Sequence, residues 1–378
     1  MSEWKESRLG NYIKIKHGFA FKGKYITTEE NEDILVTPGN FNIGGGFKST
    51  KMKYFTGEYP EEYILNHNDI VVTMTDLSKE TDTLGYSAKV PKSDNKRYLH
   101  NQRIGLVQFK NNDIDKEYLY WLMRTREYQG YIVGSASGTS IMHTSPTRIE
   151  DYTCLLPTLK EQKAIAEVLS SLDDKIDLLH RQNKTLEELA QTLFRQWFIE
   201  EAKDEWEVGT IGDITILKSG KSRPKEESLI NQIPIYGGNG ILGYTNQFNA
   251  EDESIIIGRV GAYCGSLYLE SQPIWVSDNA LLAKGKDTLF TKFLFYTLKN
   301  NELNSMAEGS SHPLLTQGLI KSIPLLIPPV EKLEEFNIQV NSWYKKINFN
   351  KRQIKTLENM RDTLLPKLMS GEFKVKDD

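Results

Sequence analysis

Ile165-Ala-Glu-Val-Leu169-Ser-Ser-Leu172-Asp-Asp-Lys-Ile176-Asp-Leu-Leu179-His-Arg-Gln-Asn183-Lys-Thr-Leu186-Glu-Glu-Leu-Ala190-Gln-Thr-Leu193-Phe-Arg-Gln-Trp197 is the stretch whose reading decides the fold. Its numbered positions step by four and three residues in alternation, which is a heptad repeat. From Lys160 to Glu200 there is neither Pro nor Gly to interrupt a helix. The same period returns in Phe336, Val340, Trp343, Ile347, Asn350, Ile354, Leu357, Arg361, Leu364 and Leu368. A lone helix would expose such a stripe to water, and the nearest apolar partner of matching shape is the other stripe. A long domain separates the two, so sequence alone does not dictate parallel or antiparallel pairing. Set antiparallel about a pseudo-two-fold axis, the seams place Asn183 opposite Asn350 and Ala190 opposite Trp343. One Asn pair fixes the register of such a seam at some cost in stability. The alternative is that each stripe packs onto its own domain. Pro366 is expected to kink or end the second helix near Leu365, with Gly371 as the natural stop. Arg361 on the seam must snorkel to solvent or find an acidic partner.

The chain is written twice. Trp4, Leu9, Gly10, Asn11 and Gly18 match Trp206, Ile211, Gly212, Asp213 and Gly220 at an offset of 202. Further on, Gly138, Ser140, Ile149, Leu155 and Pro157 match Gly309, Ser311, Ile320, Leu326 and Pro328 at an offset of 171. That offset continues through Arg181-Gln-Asn-Lys-Thr-Leu-Glu187 and Arg352-Gln-Ile-Lys-Thr-Leu-Glu358. Each half therefore has similar ends and a divergent middle, as expected of one scaffold carrying two modules with different targets.

The middles read as mixed and strand-rich. Ile34–Thr37, Asp69–Met74, Ile104–Phe109 and Ser254–Ile257 are short β-branched runs beside turn residues, whereas Glu117–Tyr131 and Thr291–Ala307 read as amphipathic helices. The predicted class is α+β: two mixed, strand-rich domains separated by two long helices that form an antiparallel coiled coil. The expected segments are 1–158, a central helix at 159–203, 204–329, a C-terminal helix at 330–370 and a tail at 371–378. The first seam covers 33 residues, or about 50 Å at 1.5 Å per residue, longer than the roughly 34 Å of a B-DNA turn.

Composition narrows the function classes. The 378 residues carry 26% charged and 39% hydrophobic side chains and a net charge of −4. The whole chain is thus no general polyanion binder, and any DNA contact must come from local basic patches. Cys154 and Cys264 show no metal-ligand spacing and read as reduced thiols. The start lacks a signal-like apolar core and no window approaches a membrane span. The expected location is the cytoplasm, with no membrane partner.

Pro157-Thr-Leu-Lys-Glu161-Gln162 before the first long helix, Leu193-Phe-Arg-Gln-Trp197-Phe at its exit and Leu364-Leu-Pro-Lys-Leu-Met-Ser-Gly371-Glu near the end resemble the conserved regions of type I restriction–modification specificity subunits. Ile233-Pro-Ile-Tyr-Gly-Gly-Asn-Gly-Ile241 and Ile257-Gly-Arg-Val-Gly-Ala-Tyr-Cys-Gly265 resemble that family's target-recognition domains, and the likeness covers essentially the whole chain. One departure is Pro329-Val-Glu-Lys-Leu-Glu334, which lacks the Glu-Gln pair. The resemblance implies two target-recognition domains, each reading one half of a bipartite, asymmetric site in double-stranded DNA. It implies two methyltransferase subunits docked on the helices and motor-nuclease subunits added for cleavage. S-adenosylmethionine, ATP and Mg would sit on those partners, leaving this chain a non-catalytic subunit without cofactor or metal.

Reading DNA needs basic and amide side chains for phosphates and base edges. The candidates in the first domain are Lys22, Lys24, Lys51, Arg97 and Arg103; in the second they are Lys221, Arg223, Asn239 and Arg259. Arg259 stands out, because its flanking glycine admits close backbone approach and Arg reads guanine bidentately. Gly238-Asn-Gly240-Ile-Leu-Gly243 fits a dinucleotide fingerprint in spacing only, since no helix start follows it. Ser137–Ser140 and Gly309–His312 recur in both halves as phosphate donors or plain turns. No Walker loop, His-Glu-x-x-His, Gly-x-Ser-x-Gly or Asn-Pro-Pro-aromatic motif occurs. The rival readings are a non-DNA adaptor with paired recognition domains and a fused enzyme with an unrecognised site.

Overall fold

The computed structural model describes residues 4–76, 78, 80–138, 141–225, 233–308 and 313–375. It comprises two compact units: Met1–Leu178 with Gln353–Asp378, and Leu179–Arg352. Each long helix contributes one half to each unit.

Both units are closed by the same ribbon. In the first, Lys5–Arg8 pairs antiparallel with Thr153–Leu156, Lys5 facing Leu156 and Arg8 facing Thr153. In the second, Glu207–Thr210 pairs with Pro324–Ile327, Glu207 facing Ile327 and Thr210 facing Pro324. The sequence offsets of 202 and 171 carry one ribbon onto the other with the register unchanged.

The first unit continues through β1 (Ile13–His17), β2 (Asp33–Val36), β3 (Ile70–Thr73), β4 (Ser87–Lys89), β5 (Arg97–His100) and β6 (Ile104–Phe109). An antiparallel sheet has the order β1, β6, β3, β4. In a second sheet β2 and β5 run parallel. The second unit contains β7 (Thr215–Ser219), β8 (Ile233–Gly237), β9 (Gly240–Thr245), β10 (Ser254–Gly258), β11 (Leu267–Glu270), β12 (Trp275–Val276) and β13 (Ala280–Gly285). Its antiparallel sheet has the order β7, β13, β10, β11, and β8 pairs with both β9 and the parallel β12. The frames match, and among the described residues the second sheets differ in strand number, five against three.

The helical stretch at Glu117–Tyr131 is two helices, α1 (Lys116–Leu122) and α2 (Arg126–Gly134). The break arises because the Thr125 hydroxyl accepts from Tyr128 N at 3.2 Å and so caps a new helix. In the second unit α3 (Leu289–Asn300) starts earlier and ends sooner than the expected Thr291–Ala307. Asn301 Nδ2 donates to the Thr297 carbonyl at 2.8 Å and takes over a terminal acceptor.

The central helix runs Leu159–Arg195 and closes with a wider π turn over Gln196–Glu200, which the heptad period did not foretell. That turn lets Phe194, Trp197 and Phe198 all approach Phe336, with ring centroids at 6.3, 6.5 and 5.1 Å. At its start Glu161 Oε2 accepts from Thr158 N (3.1 Å) and Oγ1 (3.0 Å), a capping box. Gln162, buried, donates to the Pro157 carbonyl at 3.0 Å and accepts from Asp115 N at 2.8 Å, pinning the cap of α1. In the second copy Leu333 takes the Gln162 position and is wholly buried. The missing Glu-Gln pair is thus replaced by apolar packing, and the helix still starts at Val330.

The C-terminal helix is Val330–Met369, so of the two outcomes expected at Pro366, a kink or an end near Leu365, the end does not occur. Leu368 and Met369 are buried in the core of the first unit, and that burial holds the last turn. The helix stops at Gly371 (φ +75°), whose N–H donates to Leu368 O at 3.2 Å.

The helices pair antiparallel. In the first unit Ile165, Ala166 and Leu169 share a core with Leu364, Leu365, Leu368 and Met369. In the second, Leu186, Ala190, Leu193 and Trp197 share one with Phe336, Val340, Trp343 and Ile347. Ile176, Leu179 and Ile354 are buried, while Leu172 and Leu357 are half-buried. The same clusters take in Tyr118 and Trp121 of α1, and Phe293, Leu294 and Tyr296 of α3. Each stripe therefore serves its partner helix and its own unit at once, so the two sequence alternatives are not exclusive.

Asn350 Nδ2 donates to Asn183 Oδ1 at 2.9 Å, with Asn350 wholly buried. Replacing Asn350 alone by Leu strands the Asn183 amide and is expected to cost about 1–3 kcal/mol. Changing both to Leu should be neutral or stabilising, because no polar group is left unmatched. Urea midpoints of the two single variants and the double variant check this. A double variant less stable than either single one contradicts it.

Candidate nucleic-acid interface

The candidate interface is built around two glycines from the repeat. A Cβ on Gly18 would lie 2.2 Å from the Asn101 carbonyl oxygen, and one on Gly220 1.9 Å from that of Ser277. Only glycine lets these chains cross so closely. The crossings are bridged in the same way, Phe19 with Asn101 and Lys221 with Ser277.

In the second unit the crossing gathers all four candidates. Lys221 is exposed and its N–H donates to Val276 O at 3.0 Å. Arg223 Nη2 donates to Leu242 O at 3.0 Å, which attaches it to the β8–β9 hairpin. Asn239 is exposed at the tip of that hairpin, where Gly240 adopts φ +87°. The dinucleotide-like glycines thus form a strand–turn–strand, not the strand-to-helix turn that holds a pyrophosphate. The hairpin packs on the end of β10, where a Cβ on Gly258 would lie 3.0 Å from Gly238 Cα. Arg259 follows, with its N–H donating to Asn279 O at 3.2 Å.

In the first unit Lys22 and Lys24 are exposed around the single turn Gly23–Tyr25, and Lys24 Nζ lies 4.7 Å over the Tyr25 ring. Arg103 is exposed on the adjoining strip, which Gln102 N ties to Phe19 O at 2.9 Å. Lys51, at φ +54°, stands in the loop that leaves the Val36 end of β2. Arg103 and Lys51 lie towards the Val36 end of the β2–β5 pair, whereas the register of Ile26 with Phe55 and of Ile34 with Tyr54 sets Lys24 towards the Asp33 end. Arg97 begins β5 at that Asp33 end, and its Nε is held by Asp33 Oδ1 at 2.6 Å. That hydrogen bond raises the guanidinium above its ordinary value.

Sequence reasoning passed over Ser219, Ser277, Asn279 and Gln317, which surround the second crossing. The repeated Gly18 and Gly220 mark where to look, but the strips they cross lie in the divergent middles. Ser140 and Gly309–His312 fall outside the described residues. Among the described residues no group of three His, Cys, Asp or Glu side chains is placed to hold a metal. No helix is long and apolar enough to cross a membrane.

His100, wholly buried beside the first crossing, has its ring pushed down to about 4 by burial, opposed by a hydrogen bond to Ile104 O at 2.8 Å. Its stabilising contribution is intact above the unfolded value of 6.5. As pH falls from there towards 4, the unfolded chain takes a proton that the folded one resists. Denaturation titrations should show stability falling by up to about 3 kcal/mol across that window. A His100→Phe variant should lose this part of the slope. An unchanged slope contradicts the assignment.

Two copies of one ribbon-closed frame, each bonded to a pair of long helices and bearing unlike rims, define a class of duplicated α+β proteins. A family model described as "Type I restriction modification DNA specificity domain" matches residues 1–188 and 203–359, and the chain belongs to that family as a type I restriction–modification specificity subunit. The type I restriction enzyme MjaIX specificity subunit of Methanocaldococcus jannaschii is 28% identical, covering 95% of this chain and 99% of its own length. The MjaVIII specificity subunit of the same organism is 22% identical over 99% and 94%. The fold is shared with the crystal structure of a type I restriction–modification system S subunit from M. genitalium, at a TM-score of 0.60 and 19% identity over 97% of this chain and 96% of that one.

Proposed function

We propose that the two units read the two halves of a bipartite, asymmetric site in double-stranded DNA, with residues 1–158 and 204–329 as the reading modules. The observation that carries this reading is the frame: it is written twice with one register and finished with two different rims. A symmetric frame suits placement on the duplex, and unlike rims suit unlike half-sites. The long helices dock two methyltransferase subunits, and motor-nuclease subunits join for cleavage. S-adenosylmethionine, ATP and Mg belong to those partners in the cytoplasm, and this chain performs no chemistry.

The test is a binding series of the complex with its methyltransferase subunits on duplex DNA. Specific binding should fall steeply with salt, because contacts to phosphates release counterions. Salt-independent binding, or none, favours a protein-binding adaptor instead. Methyl transfer by this chain alone would overturn the non-catalytic assignment.

A further inference from the structure

The two crossings are superposable in their hydrogen bonds but not in their side chains. In the first unit Met74 N donates to Arg103 O at 2.9 Å and Met74 O accepts from Thr144 N at 3.0 Å. In the second, Arg259 N donates to Asn279 O at 3.2 Å and Arg259 O accepts from Leu315 N at 2.8 Å. Thr144 and Leu315 are 171 residues apart, the offset of the repeat. Arg259 is therefore the structural counterpart of Met74, a buried side chain that cannot reach DNA.

The surroundings of Arg259 hold it without neutralising it. Among the described residues no carboxylate lies within ion-pair distance of its guanidinium, whereas Arg97 is paired with Asp33 and Arg124 with Asp173. Among the described residues its buried Nε has no partner, and Nη1 makes one long bond, 3.4 Å to Ser219 Oγ. Ser219 is itself fixed. Assigned in the one amide orientation that matches both of its groups, Gln317 donates through nitrogen to Leu217 O at 3.0 Å and accepts through oxygen from Ser219 Oγ at 3.0 Å and Ser219 N at 3.2 Å. The Ser219 hydroxyl proton is thereby committed to Gln317, which leaves its lone pairs to accept from Arg259. The result is a directional relay, Arg259 to Ser219 to Gln317, behind a half-buried cation with no counter-charge among the described residues. The planar guanidinium fork suits the paired O6 and N7 acceptors of guanine, whereas a phosphate needs only a charge.

We propose that Arg259 reads a guanine in the half-site of the second unit, that Ser219 and Gln317 position it, and that the first unit has no equivalent reader. This rests on the DNA-reading function proposed above. The test uses the complex with its methyltransferase subunits and a pool of duplexes randomised across both half-sites, sequenced after selection. Arg259→Ala is expected to lose roughly 10- to 100-fold discrimination at one guanine, with every other position unchanged. Arg259→Lys should keep affinity yet lose the same guanine, since it retains charge without the fork. Gln317→Ala should relax that position less than Arg259→Ala, and Met74→Ala should leave it alone. Thermal unfolding of each variant separates misfolding from misreading, and Arg259→Lys still decides the matter if Arg259→Ala does not fold. Uniform weakening at all sequences by Arg259→Ala, with full discrimination kept by Arg259→Lys, makes Arg259 a phosphate contact and overturns the proposal. An unchanged profile for every variant also overturns it. No preference in the unsubstituted complex overturns the DNA-reading function itself.

Discussion

Asp173→Ala is expected to lower the unfolding free energy by about 3–5 kcal/mol, the largest effect of any single side chain on the helices. Asp173 is the shared acceptor of two cations in the first unit. Its Oδ2 takes Arg124 Nη1 at 2.8 Å and its Oδ1 takes Arg361 Nη1 at 2.6 Å. Arg124 is only 6% exposed; it also donates to Gly44 O and Tyr120 Oη and lies 4.4 Å from the Trp121 ring. Removing the carboxylate leaves the buried Arg124 guanidinium facing Arg361 without its anion, which costs more than the pair itself contributed; Arg361 keeps the exposed Asp362 at 2.9 Å. Asp173→Asn keeps the shape and should recover only part of the loss. The seam residue Arg361, awkward in the sequence, thus finds its acidic partner one helix away. In the second unit the repeat replaces this triad by a neutral pair, Tyr296 Oη and Tyr344 Oη at 2.9 Å. Burial raises both phenols, so neither carries charge and one donates to the other. Tyr344→Phe should therefore cost only about 1 kcal/mol. Equal losses for Asp173→Ala and Tyr344→Phe in urea unfolding would refute the argument.

Gly220→Ala is the second large effect, expected at about 3 kcal/mol and with loss of second half-site reading. The new methyl would lie 1.9 Å from the Ser277 carbonyl oxygen and 2.7 Å from that of Val276, and both are backbone. Accommodation must break the bridge from Lys221 to Ser277 and shift the strip that carries Asn279 and supports Arg259. Gly18→Ala should do the same to the first unit. The control is Gly130→Ala in α2, where a Cβ meets nothing within 4 Å. There the change should stabilise by up to about 1 kcal/mol through helix propensity. Chemical denaturation and half-site selectivity are the readouts. A harmless Gly220→Ala would mean that the crossing is not fixed.

The long helices and their register were legible because a heptad is a local pattern and Asn183 and Asn350 are its only uncharged polar members. Pro366 did not end the helix, since the burial of Leu368 and Met369 outweighs one lost backbone donor. The break at Thr125 was hidden by an unbroken amphipathic pattern, and a single hydroxyl cap decides it. The rims were half legible. Lys221, Arg223, Asn239 and Arg259 were singled out for chemistry and converge in space. Arg97 looked equivalent by residue type, yet Asp33, 64 residues away, commits it elsewhere. Ser219, Gln317 and Asn279 carry no signal of their own, because their roles arise only when distant strands meet.

The central claim is that each unit reads its half-site independently. It is tested most directly by replacing residues 204–328 with the matching segment of a relative of different specificity and mapping methylated adenines across a host genome. The account predicts that one half of the recognised site changes while the other half keeps its sequence. A change in both halves, or in neither, would contradict it.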